Sequence, residues 1–358
     1  MQTDTLIIGG GLSGLSLATT LHAAGHNFLL VEAGGRLGGR ILTQPAGPAK
    51  FDMGPAWFWP GQPRMAALVQ SLGLHVFDQH AAGDLMFEDE QGRAQRGRGM
   101  ASMQWSSRVA GGLGGVIDGL AQAFPHDRLH LNTQITDLRQ IAGGVEATAQ
   151  SGLTLTANRV VAALPPRIAA TWSFSPALPD NSLYAMTAVP TWMAGQAKAV
   201  AVYPHPFWRD AGLSGDAMSR FGPMVEIHDA SPHDESCGAL FGFIGLSPDA
   251  RQDTDSLRHH ILAQLVRLFG SKAENPIDVV SKDWAHDPLT ATSEDRAPLR
   301  FHPQYGLPAS LKGLWGNRLI LSGTETAPTF GGYLEGALEA ADLTATEILT
   351  SKAPTHAL

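Results

Sequence analysis

Residues 5–32 read TLIIGGGLSGLSLATTLHAAGHNFLLVE, and the fold class follows from this stretch. Thr5 to Ile8 form a short apolar run that predicts a buried strand, and residues 12–24 carry apolar side chains at helical spacing. A second apolar run at residues 27–31 predicts another buried strand, which ends at Glu32. The order of strand, glycine turn, helix, strand and acid is typical of a nucleotide-binding βαβ unit.

Each glycine of the turn has its own physical role. Gly9 permits the tight turn, Gly11 lets a pyrophosphate approach the backbone, and Gly14 lets the helix pack close to the strand. The helix N-terminus adds N–H donors and a partial positive charge, and Glu32 can accept hydrogen bonds from ribose hydroxyls. Glycines that serve only the turn are the alternative, which the two strands and the acid disfavour. We therefore predict that the following residues bind a dinucleotide: Gly9, Gly11, Leu12, Ser13, Gly14 and Glu32.

The length and composition exclude several classes of protein. The chain has 358 residues, enough for two domains at roughly 150 residues each. With 25 basic and 33 acidic residues the formal net charge is −8, so we expect no nucleic-acid partner. The single cysteine permits no disulfide within the chain, and we expect a cytoplasmic location. No apolar stretch approaches the roughly 18 residues that span a bilayer, and the N-terminus lacks the basic region of a signal peptide, so we expect no membrane association.

The segment after Glu32 separates FAD from NAD as the dinucleotide. Residues 32–40 read EAGGRLGGR, and a second glycine pair flanked by arginines brings N–H donors and two guanidinium groups to the same pyrophosphate. A polar surface loop with solvated arginines is the alternative. The segment resembles the FAD-binding start of the flavin amine oxidases, the monoamine-oxidase-like group, whose pattern is E-A-x-x-R-x-G-G-R, although Gly34 stands where many members carry an arginine. The resemblance implies FAD contacts from Ala33, Arg36, Gly38, Gly39 and Arg40.

The C-terminal part of the chain carries a second resemblance to the same family. An apolar strand at residues 319–321 is followed by GTETA at 323–327, by GGYLEGA at 331–337 and by a helical pattern to Ile348. A helix N-terminus opened by glycines and aimed at the N1–C2=O edge of a flavin would stabilise negative charge on the reduced ring. An ordinary closing helix with a glycine-rich cap is the alternative. The resemblance implies cofactor contacts from Gly323, Thr324, Glu325, Gly332, Tyr333 and Leu334.

Three internal segments also resemble the family. Residues 52–57, DMGPAW, match a segment beside the isoalloxazine, with Pro55 in place of the usual small residue. Ile135 matches a position whose backbone contacts adenine, and Trp284 belongs to a W-x-x-D-P segment that is either flavin-adjacent or structural. These segments add the following predicted cofactor contacts: Gly54, Pro55, Ala56, Trp57, Ile135 and Trp284.

The distribution of these segments predicts the domain organisation. We expect an α/β fold in which a Rossmann-like, discontinuous FAD-binding domain is interleaved with a smaller α+β substrate domain. The FAD-binding domain is predicted to take residues 1–78, 107–167 and 288–352. The substrate domain is predicted to take residues 79–106 and 168–287, followed by a tail at 353–358. The short first substrate segment implies a more open pocket than the monoamine oxidases have.

The resemblance implies that the chain oxidises the C–N bond of a small amine. Hydride passes from the carbon that bears the nitrogen to flavin N5, the product is an imine, and O2 reoxidises the flavin to give hydrogen peroxide. The cofactor supplies the chemistry, and the protein orients and desolvates the substrate. Because the amine must be neutral, an apolar aromatic pocket favours the reaction.

Two residues are predicted to be catalytic, Lys198 and Tyr333. Lys198 lies in an alternating run, AKAVAV, that resembles the family strand whose lysine holds a water against flavin N5; a lysine on the solvent face of a strand is the alternative. Tyr333 matches one wall of the family's aromatic cage, and the second wall is unassigned among Phe301, Tyr305 and Trp57. In many members of the family the second wall follows a cysteine that links the flavin, and the corresponding residues 293–305 contain no cysteine. The resemblance therefore implies that FAD is bound non-covalently.

Other chemistry is weighed against this interpretation. His228-Asp229 and His233-Asp234-Glu235 fit no zinc spacing, so we expect a solvated polar loop there and no metal. Two rival functions remain: an FAD-dependent C–C desaturase, protoporphyrinogen-oxidase-like or renalase-like enzyme on the same fold, which leaves Lys198 and Tyr333 unexplained, and a non-catalytic FAD-binding protein. The sequence specifies neither the amine nor the oligomeric state.

Overall fold

A computed structural model describes residues 2–297 and 299–350, so the predicted tail at 353–358 lies outside the described residues. Its helices are α1 Leu12–Ala23, α2 Pro63–Ser71, α3 Gly114–Ala121, α4 Pro166–Ala169, α5 Asp180–Ala188, α6 Phe207–Asp210, α7 Thr254–Phe269 and α8 Leu334–Thr350. Its strands are β1 Gln2–Ile8, β2 Phe28–Val31, β3 Thr43–Ala46, β4 Ala49–Asp52, β5 Val76–Asp78, β6 Asp84–Glu88, β7 Ala94–Gly97, β8 Ser107–Val109, β9 Leu129–His130, β10 Ile135–Ile141, β11 Gly144–Ala149, β12 Thr154–Ala162, β13 Ser173–Ser175, β14 Ala197–Tyr203, β15 Leu213–Ser219, β16 Met224–Asp229, β17 Gly238–Ile244, β18 Asp278–Asp283 and β19 Leu319–Leu321.

The first sheet has a parallel centre. Strands β9, β2, β1, β12 and β19 pair in parallel in that order, and β10 and β11 extend the sheet as an antiparallel meander on β12. The apolar runs at residues 5–8 and 27–31 form β1 and β2, and the helical pattern between them forms α1. This helix ends before Gly25, which has a φ of +69° that glycine adopts without strain. The predicted Rossmann-like unit is therefore confirmed.

Helices α1, α3 and α8 cover one face of this sheet, and side chains of β10, β11, α4, α5 and irregular segments pack on the other. Ile7 and Leu30 pack against apolar side chains of α1, α3 and α8. Leu6 and Ile8 point to the opposite face, because strand side chains alternate, and pack against β10, β11 and Trp172. Each fully buried aliphatic side chain contributes on the order of 2 kcal/mol to folding. The two layers thus fix the position of the glycine turn at the end of β1.

The second sheet contains seven strands in the order β18, β14, β17, β16, β15, β6 and β7. The alternation of β14 divides its faces. Ala199 and Ala201 pack against α7, whereas Val200 and Val202 pack towards the β3–β4 hairpin. Lys198 has the same parity as Val200 and therefore lies on the hairpin side. This register turns the lysine away from α7 and towards the first sheet.

Strand pairing differs at one point from the predicted division into domains. Strand β13 falls within the segment 168–287, yet it pairs in parallel with β10 of the first sheet. Trp172 and Met186, on either side of β13, pack in the apolar core of that sheet. Within the segment 168–287, the polypeptide therefore joins the second sheet only from β14 onwards. The domain boundaries themselves stay a prediction.

Candidate active site

A cavity of 1090 Å³ is lined by residues of both sheets. Its lining includes residues of the glycine turn, Glu32, Lys198 and Tyr333. Every predicted cofactor-binding or catalytic residue lines this cavity except Gly14 and Glu325. Residues that are far apart in the sequence are thus brought to one concave site, the arrangement that small-molecule and cofactor sites share.

The three glycines of the turn have three different surroundings. Gly9 has a φ of +116°, and a Cβ there would lie 2.6 Å from the carbonyl oxygen of Ala163. A Cβ on Gly14 would overlap the carbonyl oxygen of Gly9, so this position holds α1 close to β1. At Gly11 the nearest atom to a Cβ is the carbonyl oxygen of Gly38 at 3.9 Å. Gly11 therefore faces the cavity, where an approaching phosphate would need the space.

Glu32 joins the two glycine-rich segments. Its Oε2 accepts a hydrogen bond of 2.7 Å from the backbone N–H of Gly10, and its Oε1 accepts one of 2.7 Å from that of Gly34. The carboxylate is thereby oriented at the rim of the cavity, and carboxylate oxygens can each accept more than one hydrogen bond. The predicted contact to ribose hydroxyls stays a prediction.

The two arginines of the second glycine-rich segment are engaged with the protein. Arg36 donates hydrogen bonds to the carbonyl oxygens of Leu37, Gly39 and Ile41, and so orders its own loop. Arg40 forms a two-point ion pair with Glu325, with N–O distances of 2.6 and 3.2 Å. Arg40 is therefore not a solvated arginine, whereas Arg36 is exposed, and the predicted pyrophosphate contacts of both stay a prediction. The Arg40–Glu325 pair fastens the N-terminal segment to the GTETA segment beneath the cavity.

Lys198 is enclosed by aromatic rings. Its side chain is buried, with 5% of the residue exposed, so the alternative of a solvent-facing lysine is wrong. The Nζ atom donates a hydrogen bond to the carbonyl oxygen of Gly54 and lies 4.7 Å from the ring centre of Phe241 and 5.1 Å from that of Phe243. Burial lowers the pKa of Lys198 to about 8, because the ammonium loses its water, although Asp52 opposes this.

Two tryptophans fix the segment that lies beneath Lys198. The ring of Trp57 lies 5.6 Å from the lysine Nζ, and its indole N–H donates a hydrogen bond of 2.8 Å to Gln79. The indole N–H of Trp284 donates a hydrogen bond of 2.9 Å to the carbonyl oxygen of Met53. Trp284 lines the cavity and fastens the backbone before Gly54, which supports its structural role, and its position beside the flavin stays a prediction.

None of the three candidates for the second wall of the aromatic cage stacks on Tyr333, and the assignment of that wall stays open. The ring that stacks on Tyr333 is the imidazole of His302, with a centroid distance of 4.7 Å and an interplanar angle of 15°. Phe301 is 84% exposed, and the hydroxyl of Tyr305 donates a hydrogen bond to the carbonyl oxygen of Pro190. Trp57 belongs to the surroundings of Lys198. The stack of His302 on Tyr333 was not predicted, because the sequence carries no signal for which ring packs on the tyrosine.

The expectation of a solvated polar loop at residues 228–235 is wrong for its first two residues. His228 and Asp229 belong to strand β16 and are buried. His228 is held between Asp216 and Glu226, and Asp229 accepts hydrogen bonds from the side chains of Trp208 and Arg209. The signal for this was the alternation in β16, where Glu226 and His228 occupy every second position and therefore share a face.

The cavity fits a dinucleotide, because its lining combines open backbone at Gly11 with a buried cation among rings at Lys198. The family model for flavin-containing amine oxidoreductases matches residues 12–99 and 79–349. This chain belongs to that family. Its cofactor is FAD and its reaction is amine oxidation, as the residues predicted, and the rival functions are not favoured. The family's reaction takes an amine and O2.

Similar proteins cover nearly the whole chain. A probable flavin-containing monoamine oxidase A of Dictyostelium discoideum is 23% identical, over 94% of this chain and 95% of that protein. Putrescine oxidase of Kocuria rosea is 23% identical, over 82% and 85%. Among solved structures, a putrescine oxidase bound to putrescine has a TM-score of 0.82 at 21% identity, covering 98% and 100%, and cyclohexylamine oxidase of Brevibacterium oxydans has 0.82 at 20%, covering 97% and 98%. These structures show the same fold.

No helix within residues 2–297 and 299–350 has the length and apolar character needed to cross a membrane. The cytoplasmic location stays a prediction.

Proposed function

We propose that this flavin amine oxidoreductase acts on a small amine that enters the cavity between Lys198 and Tyr333. The observation that carries the proposal is the buried Lys198 ammonium, which is bonded to Gly54 and surrounded by rings in the same cavity as the glycine turn. When bound, FAD supplies the two-electron acceptor for the C–N bond and passes the electrons to O2. The protein residues bind, orient and desolvate the amine.

The role proposed for Lys198 is electrostatic. A cation in a site with little water stabilises negative charge more strongly than it would in solution. With a pKa of about 8, the lysine is mostly protonated at neutral pH and loses its charge above that value. Lys198 thus places a positive charge beside the segment that is proposed to hold the flavin ring.

The aromatic residues are proposed to select the neutral form of the amine. Tyr333 and Trp59, edge-on at 6.4 Å, both line the cavity, and His302 stacks on Tyr333 from outside the lining. Desolvation lowers the pKa of an amine, and only the neutral amine carries the lone pair that assists oxidation. The relatives are named for different amines, which include monoamines, putrescine and cyclohexylamine. The class of amine must therefore be inferred from the residues that line the cavity.

The test mixes the purified yellow protein anaerobically with monoamines, diamines and amino acids. The measurement is the absorbance of the visible flavin band, which is lost when the flavin is reduced. At least one amine is expected to bleach the flavin, and Lys198→Met is expected to slow turnover in air. Lys272→Met, which changes an exposed lysine outside the cavity, is the control. The proposal fails if no amine bleaches the flavin, and bleaching by a dihydronicotinamide alone would favour the renalase-like alternative.

A further inference from the structure

A carboxylate lies in the same cross-strand row as the buried lysine. Lys198 on β14 is opposite Phe243 on β17, and Phe243 is opposite Glu226 on β16. Directly opposed residues point to the same face of a sheet, and all three residues line the cavity. Two strand spacings place the Cα atoms of Lys198 and Glu226 about 10 Å apart. The row thus carries a cation, an apolar ring and an anion in order.

Glu226 is held in place from behind. His228 Nδ1 lies 2.6 Å from Asp216, and its Nε2 lies 3.0 Å from Oε1 of Glu226. Although burial opposes it, the hydrogen bonds to Asp216 and Glu226 raise the pKa of His228, which favours the imidazolium. The hydrogen bond with His228 in turn lowers the pKa of Glu226. With His228 protonated, these three residues carry a net charge of −1.

The contacts of Glu226 leave one oxygen for a ligand. The hydroxyl of Ser102 donates to Oε1, the same oxygen that faces His228, so Oε2 has no partner within the described residues. The side chain is 24% exposed, and it borders the cavity. A carboxylate that is fixed at one oxygen and open at the other is well placed to receive a second donor.

The rings of this network are shared with the lysine. Trp57 meets His228 edge-on at 5.4 Å, and Phe241 stacks on His228 at 5.8 Å. The same two rings lie under the Nζ of Lys198. The cation of Lys198 and the network that holds Glu226 are therefore built on one rigid aromatic layer, which fixes their separation.

We propose that Glu226 binds a second ammonium group of the substrate, so that the enzyme prefers short diamines to monoamines, and that His228, held by Asp216, is the positioning residue for Glu226. This inference rests on the proposed function. The reacting nitrogen is neutral in the aromatic part of the cavity, while the distal nitrogen stays protonated beside Glu226. Phe243 between Lys198 and Glu226 contacts the hydrocarbon chain that joins the two nitrogens.

The test compares putrescine with n-pentylamine, in which a methyl group replaces the second ammonium. The flavin of the wild-type holoenzyme is expected to bleach anaerobically at lower concentrations of putrescine than of n-pentylamine. Glu226→Gln is expected to raise the half-saturating putrescine concentration about 10- to 100-fold, the range for loss of a charge-assisted hydrogen bond, and to change that of n-pentylamine less than about twofold. Glu274→Gln, an exposed charge change outside the cavity, is the matched control.

His228→Gln tests the positioning role. It is expected to raise KM for putrescine with little change in kcat, and to leave n-pentylamine unaffected. A merely structural role would instead change both amines equally and lower the FAD content. A binding readout uses a diamine whose nitrogen-bearing carbons carry methyl groups and no hydrogen, so that it is not oxidised. Binding of this diamine should raise the Tm of the wild-type protein and should not raise the Tm of Glu226→Gln.

The outcomes separate this inference from the proposed function. Equal effects of Glu226→Gln on both amines, or a wild type that oxidises monoamines and no diamine, would overturn the role of Glu226. A flavin that no amine bleaches would instead refute the proposed function itself.

Discussion

Replacing Gly11 or Gly14 by alanine adds one methyl group at two positions of the same turn, with opposite expected consequences. At Gly11 the new Cβ has no atom nearer than 3.9 Å, and its backbone, with φ −79° and ψ −176°, suits any residue. The folded apoprotein should therefore change in stability by less than about 0.5 kcal/mol. At Gly14 the Cβ overlaps the carbonyl oxygen of Gly9, so α1 must move away from β1.

The methyl group of Gly11→Ala enters the space that the FAD pyrophosphate is proposed to occupy. Forcing a ligand to accommodate an added methyl group costs about 1–3 kcal/mol, by analogy with overpacked cores. That cost weakens FAD binding about 5- to 150-fold. For Gly14→Ala the same cost or a larger one falls on the apoprotein, and its Tm should drop.

The assay measures both quantities on FAD-free protein. Thermal unfolding gives Tm, and titration with FAD, followed by quenching of its fluorescence, gives Kd. We expect Gly11→Ala to have a normal Tm and a raised Kd, and Gly14→Ala to have a lowered Tm. If Gly11→Ala binds FAD as tightly as the wild type, the pyrophosphate does not approach the backbone at this position and the assignment of the turn is refuted.

Three further perturbations have defined outcomes. Because folding lowers the pKa of Lys198 from 10.5 to about 8, the folded state binds fewer protons than the unfolded state between these pH values. The free energy of unfolding of wild-type apoprotein should therefore rise by about 3 kcal/mol relative to that of Lys198→Met across this pH range. A difference in urea midpoint between the two proteins that stays the same across this range would contradict the prediction. Glu325→Gln should lower the free energy of unfolding by about 2–4 kcal/mol, because it leaves the half-buried Arg40 without its carboxylate. The double variant Arg40→Met with Glu325→Leu should lose less stability, as measured by chemical denaturation. A larger loss in the double variant would exclude the charge explanation. Acid denaturation should release one equivalent of FAD into solution, since the single cysteine, Cys237, is buried and does not line the cavity; a yellow precipitate would show covalent attachment.

The features that were predictable lie close together in the chain or repeat a spacing. The glycine turn, α1 and Glu32 lie within residues 5–32, where strand and helix periods and the special conformations of glycine act locally. The GTETA segment and α8 were recognisable for the same reason. The family, FAD and amine oxidation follow from these segments and are confirmed.

The errors concern side chains whose surroundings come from distant strands. The stack of His302 on Tyr333 and the burial of His228 both depend on which elements pack against them. The hydrogen bonds from Arg36 to carbonyls of its own loop were not predicted either, and its contact with a pyrophosphate stays a prediction. A polar residue has the same letter in the sequence whether its partner is water, a backbone carbonyl or a buried acid.

The sequence alone therefore determined the dinucleotide-binding unit at residues 5–32, because backbone conformation and periodicity act over a few residues. Only the tertiary structure decided which distant side chains lie beside this unit and line the rest of the cavity. It joined Arg40 to Glu325 across 285 residues and set Lys198, Phe243 and Glu226 in one row through the pairing of three strands. Cross-strand register is a property of paired chains, since a shift of one residue would turn every one of these side chains to the opposite face.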